Sequence, residues 1–261
     1  MYSDRQISIS SRFLEIIVKQ FSEPPCLLGG WAVYLHLNDK FNSSKGRDYI
    51  GSKDIDLGFH LDPTWSKEEY EKSDLRKAVD SIASLGFEAV SFRFMRRFSS
   101  DGAELTEEQS RRLPQYEMFS LYIDLLVDTA DERRHSVVGF SIAEEPLLQN
   151  VFLGKQKSAK KLHGLDIVLP DPDLLMEMKI NSFPNRTQDD KRTKDLTDSC
   201  ALLLYSGSKP STLTRSKGRA TRIENFQKAI ASLPEDEWDS VARILDEQKN
   251  DLKRVVAGVY S

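Results

Sequence analysis

A glycine pair set between an apolar run and an aromatic-led segment, followed by two aspartates at strand spacing, constrains this chain more than its composition does. Cys26-Leu27-Leu28 is short and apolar, Gly29-Gly30 can take backbone angles that other residues avoid, and Trp31-Ala32-Val33-Tyr34-Leu35 can open a helix. The pattern predicts a strand, a tight turn and a helix N-terminus. Such a turn lets a ligand approach the main chain closely, and the amides at a helix start attract phosphate oxygens. Downstream, Ile55 and Leu57 alternate with Ser52, Asp54 and Asp56, so on a strand the two aspartates share one face while the apolar pair enters the core. Neighbouring carboxylates repel unless a cation joins them. Oxygen donors with no His or Cys among them favour magnesium or manganese over zinc. Either signal alone is ordinary, since Gly-Gly is mostly a turn and Asp-x-Asp mostly a solvated strand face or loop.

A third acid follows. Phe119 to Val127 is apolar enough for a central strand and carries Asp124 in its middle. Burying a carboxylate there costs on the order of several kcal/mol unless it is paired or coordinated. For one such acid an arginine partner is the ordinary solution; with Asp54 and Asp56 also present, a three-carboxylate cation site is the stronger expectation. Asp128 falls at the strand end, where an acid is easily solvated. Lys191 with Asp195 and Lys194 with Asp198 are spaced i to i+4, and on spacing alone are surface ion pairs worth about 0.2–0.5 kcal/mol each.

Together, Gly29, Gly30, Asp54, Asp56 and Asp124 resemble the nucleotidyltransferase superfamily with the DNA polymerase β-like fold, whose pattern is a Gly-Gly or Gly-Ser turn, then Asp-x-Asp, then a distant Asp on a neighbouring strand. More narrowly, the chain is similar to the AbiEii-type minimal nucleotidyltransferases of toxin–antitoxin loci. That likeness rests on Gly29 to His36, on Asp54 to Leu57, and on a later helix carrying Lys179, Arg186, Lys194-Asp195 and Asp198. The segment Asn38 to Gly51 is longer than that family's pattern.

The resemblance implies an α+β (α/β) fold: a nucleotidyltransferase core with a mixed sheet flanked by helices, plus a C-terminal helical region. It also implies a chemistry, in which magnesium or manganese ions held by Asp54, Asp56 and Asp124 bind a nucleoside triphosphate and polarise its α-phosphorus. Asp124 would help to deprotonate the attacking hydroxyl. Gly29-Gly30 and the Ser52 hydroxyl would lie beside the phosphates, and Lys179, Arg186, Lys194, Asp195 and Asp198 would bind the nucleotide. The implied acceptor is an RNA 3′ end, a protein side chain, or a small molecule such as an aminoglycoside or lincosamide. An RNA or protein acceptor fits a toxin silenced by an antitoxin protein, and a drug acceptor fits a resistance enzyme. Two other classes compete. A nucleotide-binding regulatory module would not need Asp124 in an apolar strand. A metal-dependent hydrolase would want histidine support, yet none of His36, His60, His135 and His163 is spaced with the acids as a ligand set, and His60 is expected at the surface.

With 261 residues and 39% hydrophobic content, the chain can hold one large domain or a catalytic domain with a helical companion. The division expected is a catalytic domain over 1–170 and a helical region over 171–261, with a linker at 206–219 rich in Gly, Ser, Pro and Lys. No run is long enough to span a bilayer, and no charged-then-apolar signal pattern is seen, so the expectation is a cytoplasmic protein with no membrane partner. Cys26 and Cys200 lie far apart and indicate neither a disulfide framework nor a zinc cluster. A net charge of −4 argues against bulk nucleic-acid affinity. Local basic patches do occur at Arg93, Arg96 and Arg97, at Lys155 to Lys161, and at Lys209 to Arg222. Their ordinary meaning is a solvated surface; with an RNA acceptor they are where its phosphates would sit.

The expected elements are a helix over Ile7 to Phe21 capped near Ser8 to Ser11, the strand-turn-helix, and the aspartate strand. A helix over Lys67 to Leu85 stopped by Gly86 and a strand over Phe87 to Phe94 come next. A polar loop or hairpin over Ser99 to Pro114 precedes the Asp124 strand. Short strands over Val137 to Ile142 and Leu165 to Val168 then lead to a helix started by Asp171-Pro172-Asp173 and running to about Phe183. Leu196 to Tyr205 and Ile223 to Val259 read as helical. Trp238, Val241, Ile244, Leu245, Leu252, Val255 and Val256 form an apolar stripe expected to pack on the body.

Overall fold

In the computed structural model, Leu121, Ile123, Leu125 and Val127 are fully buried, while Ser120, Tyr122, Asp124 and Leu126 between them are half-buried. The strand Met118–Val127 thus gives one face to a core and leaves the other more open, as period-2 alternation requires. The structure describes residues 2–129, 141–208 and 219–259. These form two bodies, one of residues 2–31 and 51–170, the other of residues 32–50 and 171–259.

Among the described residues the first body is an eight-stranded mixed sheet with helices on it. Its strands are β1 (Cys26–Leu27), β2 (Ile55–Phe59), β3 (Glu88–Val90), β4 (Arg93–Ser99), β5 (Met118–Val127), β6 (Ala143–Glu144), β7 (Lys157–Leu162) and β8 (Leu165–Pro170). They run in the order β3-β4-β5-β2-β1-β8-β7, with β6 also paired to β5. Two pairings position the acids. β2 is parallel to β5, with Asp56 opposite Asp124, and β1 is antiparallel to β2, with Leu27 opposite Leu57. The core face is closed by helix α1 (Asp4–Val18), whose Phe13 meets the rings of Phe87 and Phe98.

The strand-turn-helix at Gly29 is present: β1 ends, and helix α2 (Gly29–Lys45) begins at the glycine pair. Several boundaries differ from expectation for local reasons. α1 starts at Asp4, because Ser3 and Gln6 close a capping box one turn earlier than Ser8. The single helix expected over Lys67 to Leu85 is two, α3 (Lys67–Glu71) and α4 (Asp74–Ser84), because the Ser73 hydroxyl accepts from the Arg76 N–H and starts a new helix. The strand expected over Phe87 to Phe94 is the hairpin β3–β4, turned at Ser91, whose φ is 59°. The polar stretch Ser99 to Pro114 contains a short helix, α5 (Glu107–Arg112), capped by Thr106. Leu165 to Val168 belongs to the hairpin β7–β8, and β7 is an edge strand whose exposed Lys157, Lys160 and Lys161 discourage pairing with another chain. The strand expected over Val137 to Ile142 falls largely outside the described residues, as do His135 and most of the 206–219 segment.

The second body is helical. After the short α6 (Gln149–Phe152) of the sheet body come α7 (Pro172–Ser182), α8 (Asp189–Ala201), α9 (Arg219–Ala231), α10 (Glu235–Leu245) and α11 (Lys249–Ala257). Of the C-terminal stripe, Trp238, Val241, Leu245, Leu252 and Val256 are buried, and Ile244 and Val255 half-buried. Arg192 of α8 forks onto Glu237 of α10, with its Nε 3.0 Å and its terminal nitrogen 2.8 Å from Oε2. This planar double contact holds the two helices in register. Among the described residues no helix is long and apolar enough to cross a membrane.

Candidate carboxylate site and a buried charge network

The Leu28 N–H donates to the backbone oxygen of Asp56 at 2.8 Å, which ties the end of β1 to the acid strand just before the glycine turn. Gly29 has a φ of 60°, in the left-handed region. A Cβ built there would lie 1.8 Å from Oδ2 of Asp56 and 2.7 Å from its carboxyl carbon. Glycine is therefore required twice at this position, once by conformation and once because the Asp56 carboxylate packs against it. The same contact brings the acid to the start of α2, where backbone amides point out of the helix. Gly30 is the buried second residue of that helix.

Asp56 and Asp124 lie side by side, as directly paired residues of parallel strands. Asp54 is not in the ladder. β2 begins at Ile55, and the Asp54 N–H turns back to the hydroxyl of buried Ser52 at 3.3 Å. Alternation along a strand therefore does not by itself set the direction of Asp54, and Ser52 shapes the bend that does. Among the described residues no group of three or more His, Cys, Asp or Glu is gathered as a metal cage. The geometry at Asp124 supplies a reason. Arg93, its cross-strand neighbour on β4, donates to Asp124 Oδ2 at 2.7 Å, and both side chains are more than four-fifths buried. The arginine partner that the sequence allowed for a buried acid is thus present, and the signal for it was the basic run Arg93, Arg96 and Arg97 within β4. Arg96 points to the other face, where it donates to the Leu85 carbonyl and lies over the Phe13 and Phe87 rings. The donor set, all carboxylate oxygen, suits a hard divalent cation. The Gly29 cradle and the Asp56–Asp124 register fit such an ion, while Asp124 is engaged by Arg93.

Further along the same two strands, Asp128 and His60 make a second pair. Asp128 is fully buried, its Oδ1 accepts the Leu61 N–H at 3.0 Å, and its Oδ2 lies 2.6 Å from His60 Nδ1. The strand-end acid expected to be solvated is buried instead, while its partner His60 keeps about a third of its side chain exposed. The signal was that both residues directly follow paired strands, which places them opposite one another.

Lys179, Arg186, Lys194, Asp195 and Asp198 come together in the helical body. Lys179 on α7 donates to Asp195 at 2.5 Å and to Asp198 at 2.9 Å, both on α8. Arg186 Nε meets Asp195 at 2.5 Å, and Lys194 donates to Asp198. Tyr49, which sequence reasoning missed, donates its hydroxyl to Asp198 at 2.8 Å. Surface i,i+4 pairs are thus not what these residues form: Lys179, Lys194, Asp195 and Asp198 are buried, and only Arg186 is substantially exposed. Burial alone would lower the Lys179 pKa, but Asp195 and Asp198 outweigh it and hold the ammonium above its ordinary range. Burial would raise Asp195, yet Lys179 and Arg186 pull it below the usual carboxylate value. For Lys194 burial prevails over Asp198, and its pKa is lowered.

No protein-family model matches the chain, and no curated protein sequence does. Among solved structures, the crystal structure of an antigenic nucleotidyltransferase-like protein from Paracoccidioides brasiliensis is similar at 14% identity, covering 95% of each chain with a TM-score of 0.40. A likeness of that strength assigns neither fold nor function.

Proposed function

We propose that this chain is a divalent-cation-dependent nucleotidyltransferase that moves a nucleoside monophosphate from a nucleoside triphosphate to an acceptor hydroxyl. The observation that carries the reading is the placement of Asp56 beside Asp124 with the Asp56 carboxylate packed against Gly29 at the start of α2. That juxtaposition sets acids next to a phosphate-type turn, which a structural salt bridge alone would not need.

Asp54, Asp56 and Asp124 would hold magnesium or manganese, which when bound supplies positive charge to the phosphates and eases loss of the acceptor proton. The acceptor oxygen forms a bond to the α-phosphorus, the bond to the bridging oxygen breaks, and pyrophosphate leaves with the electron pair. Asp124, paired with Asp56 across β2–β5, would take the hydroxyl proton. Gly29 and Gly30 let phosphate oxygens reach the main chain, and Ser52 adds a hydroxyl. For Lys179, Arg186, Lys194, Asp195 and Asp198 the proposal is nucleotide binding. The three cations exceed the two acids in that set, and Arg186, its exposed member, is the natural contact for phosphate.

The test is incubation with magnesium, each of the four α-labelled nucleoside triphosphates, and either total RNA, protein or no added acceptor. The label should move to one acceptor class in the wild-type chain and fail to move in Asp56→Asn, with the fold of the variant checked by circular dichroism. Label on RNA or protein suits the toxin of an AbiEii-like toxin–antitoxin pair. Activity that survives Asp56→Asn would remove the carboxylate mechanism.

A further inference from the structure

Arg93 is held more firmly than an ordinary ion-pair partner. Its guanidinium carbon lies 4.9 Å from the Phe92 ring centroid and 4.7 Å from that of Tyr122, so the cation is flanked by two aromatic rings while one nitrogen bonds Asp124. Its backbone is fixed as well, opposite Asp124 in the β4–β5 ladder and one residue beyond the tight turn at Ser91–Phe92. Ser91 adopts a left-handed conformation that serine rarely takes, and this turn aims Phe92 and Arg93 together. Tyr122, Asp124 and Asp56 belong to the more open face of the sheet.

Building on the proposed function, we infer that Arg93 is a competitor of the divalent cation for Asp124. It is the resident counter-ion that makes this acid tolerable without metal and that must release it before the three carboxylates can act together. Arg93 occupies Oδ2 of Asp124, and its charge repels a divalent cation drawn to the same carboxylate, the more so where solvent screening is reduced. The arginine therefore lowers cation affinity and sets the cation concentration at which the site assembles. Arg93 is on this account a positioning residue, acting through Asp124.

The experiment is titration of the full chain with Mn2+, read by electron paramagnetic resonance of the free ion, in the absence of nucleotide. Arg93→Gln should bind Mn2+ about tenfold more tightly than wild type, the worth of one charge-assisted hydrogen bond. Arg97→Gln removes a charge from the same face that pairs with Glu88 and should leave affinity within about twofold. In an Asp124→Asn background, Arg93→Gln should add nothing, because the competition needs the carboxylate. Because Arg93→Gln leaves a buried acid short of its cation, the variant should melt lower without metal and gain more from saturating Mn2+ than wild type does. Wild-type Mn2+ binding that depends on Asp56, with unchanged affinity in Arg93→Gln, would overturn the inference and leave the proposed function standing. If neither wild type nor Arg93→Gln binds Mn2+ through Asp56, the carboxylates are not a cation site, and both readings fall.

Discussion

At Gly29 one missing side chain decides whether the acid strand and the glycine turn can meet. Gly29→Ala should cost about 1–2 kcal/mol through the left-handed backbone alone, with a further loss as Asp56 is pushed aside. Thermal melts of the variant would show the first effect, and loss of transfer activity with the chain still folded would show the second. The glycine pair, Asp56 and Asp124 were legible in the sequence because turn chemistry and strand alternation are local rules. The partners of Asp124 and Asp198 were not, because Arg93 and Tyr49 are joined to them only by tertiary pairing. Asp54 marks the limit of the alternation argument: a serine two residues before it captured its amide and ended the strand one residue short.

Between elements, the same division between local and distant information holds. The longer helices and strands were readable in kind, while the short helix α5 and the lysine-rich strand β7 were not; breaks were set by single residues, Ser73 as a new cap and Ser91 as a hairpin turn, which periodicity passes over. The α7–α8 pair was read as surface-charged because its charges fall at i,i+4 spacing, whereas the facing helix buries them. Lys179 is the hub of that pair, so Lys179→Met should destabilise the chain by about 3–5 kcal/mol by leaving two buried carboxylates short of charge. Denaturant melts would measure it. Asp195 gives the pair a pH signature. Its folded pKa is depressed below the unfolded value, so its contribution is present above about pH 4 and is lost as pH falls further. Asp195→Asn should accordingly be less stable than wild type at pH 7, with the gap narrowing below about pH 4.

For the whole molecule, each body carries one buried thiol. Burial pushes both Cys26, in the sheet, and Cys200, in the helical body, up to about 12. Neither should react with a thiol reagent at pH 8 in the native state, and labelling followed by peptide mapping along a denaturant series should report the opening of each body separately. Rapid labelling of either cysteine without denaturant would contradict its burial. Which phosphorus the carboxylates serve is decided by the fate of the γ-phosphate. The chain is incubated with magnesium, acceptor and γ-labelled nucleoside triphosphate, and the labelled product is separated as pyrophosphate or orthophosphate. Attack at the α-phosphorus predicts label in pyrophosphate, dependent on Asp56 and Asp124. Label in orthophosphate would show chemistry at the γ-phosphorus and contradict nucleotidyl transfer.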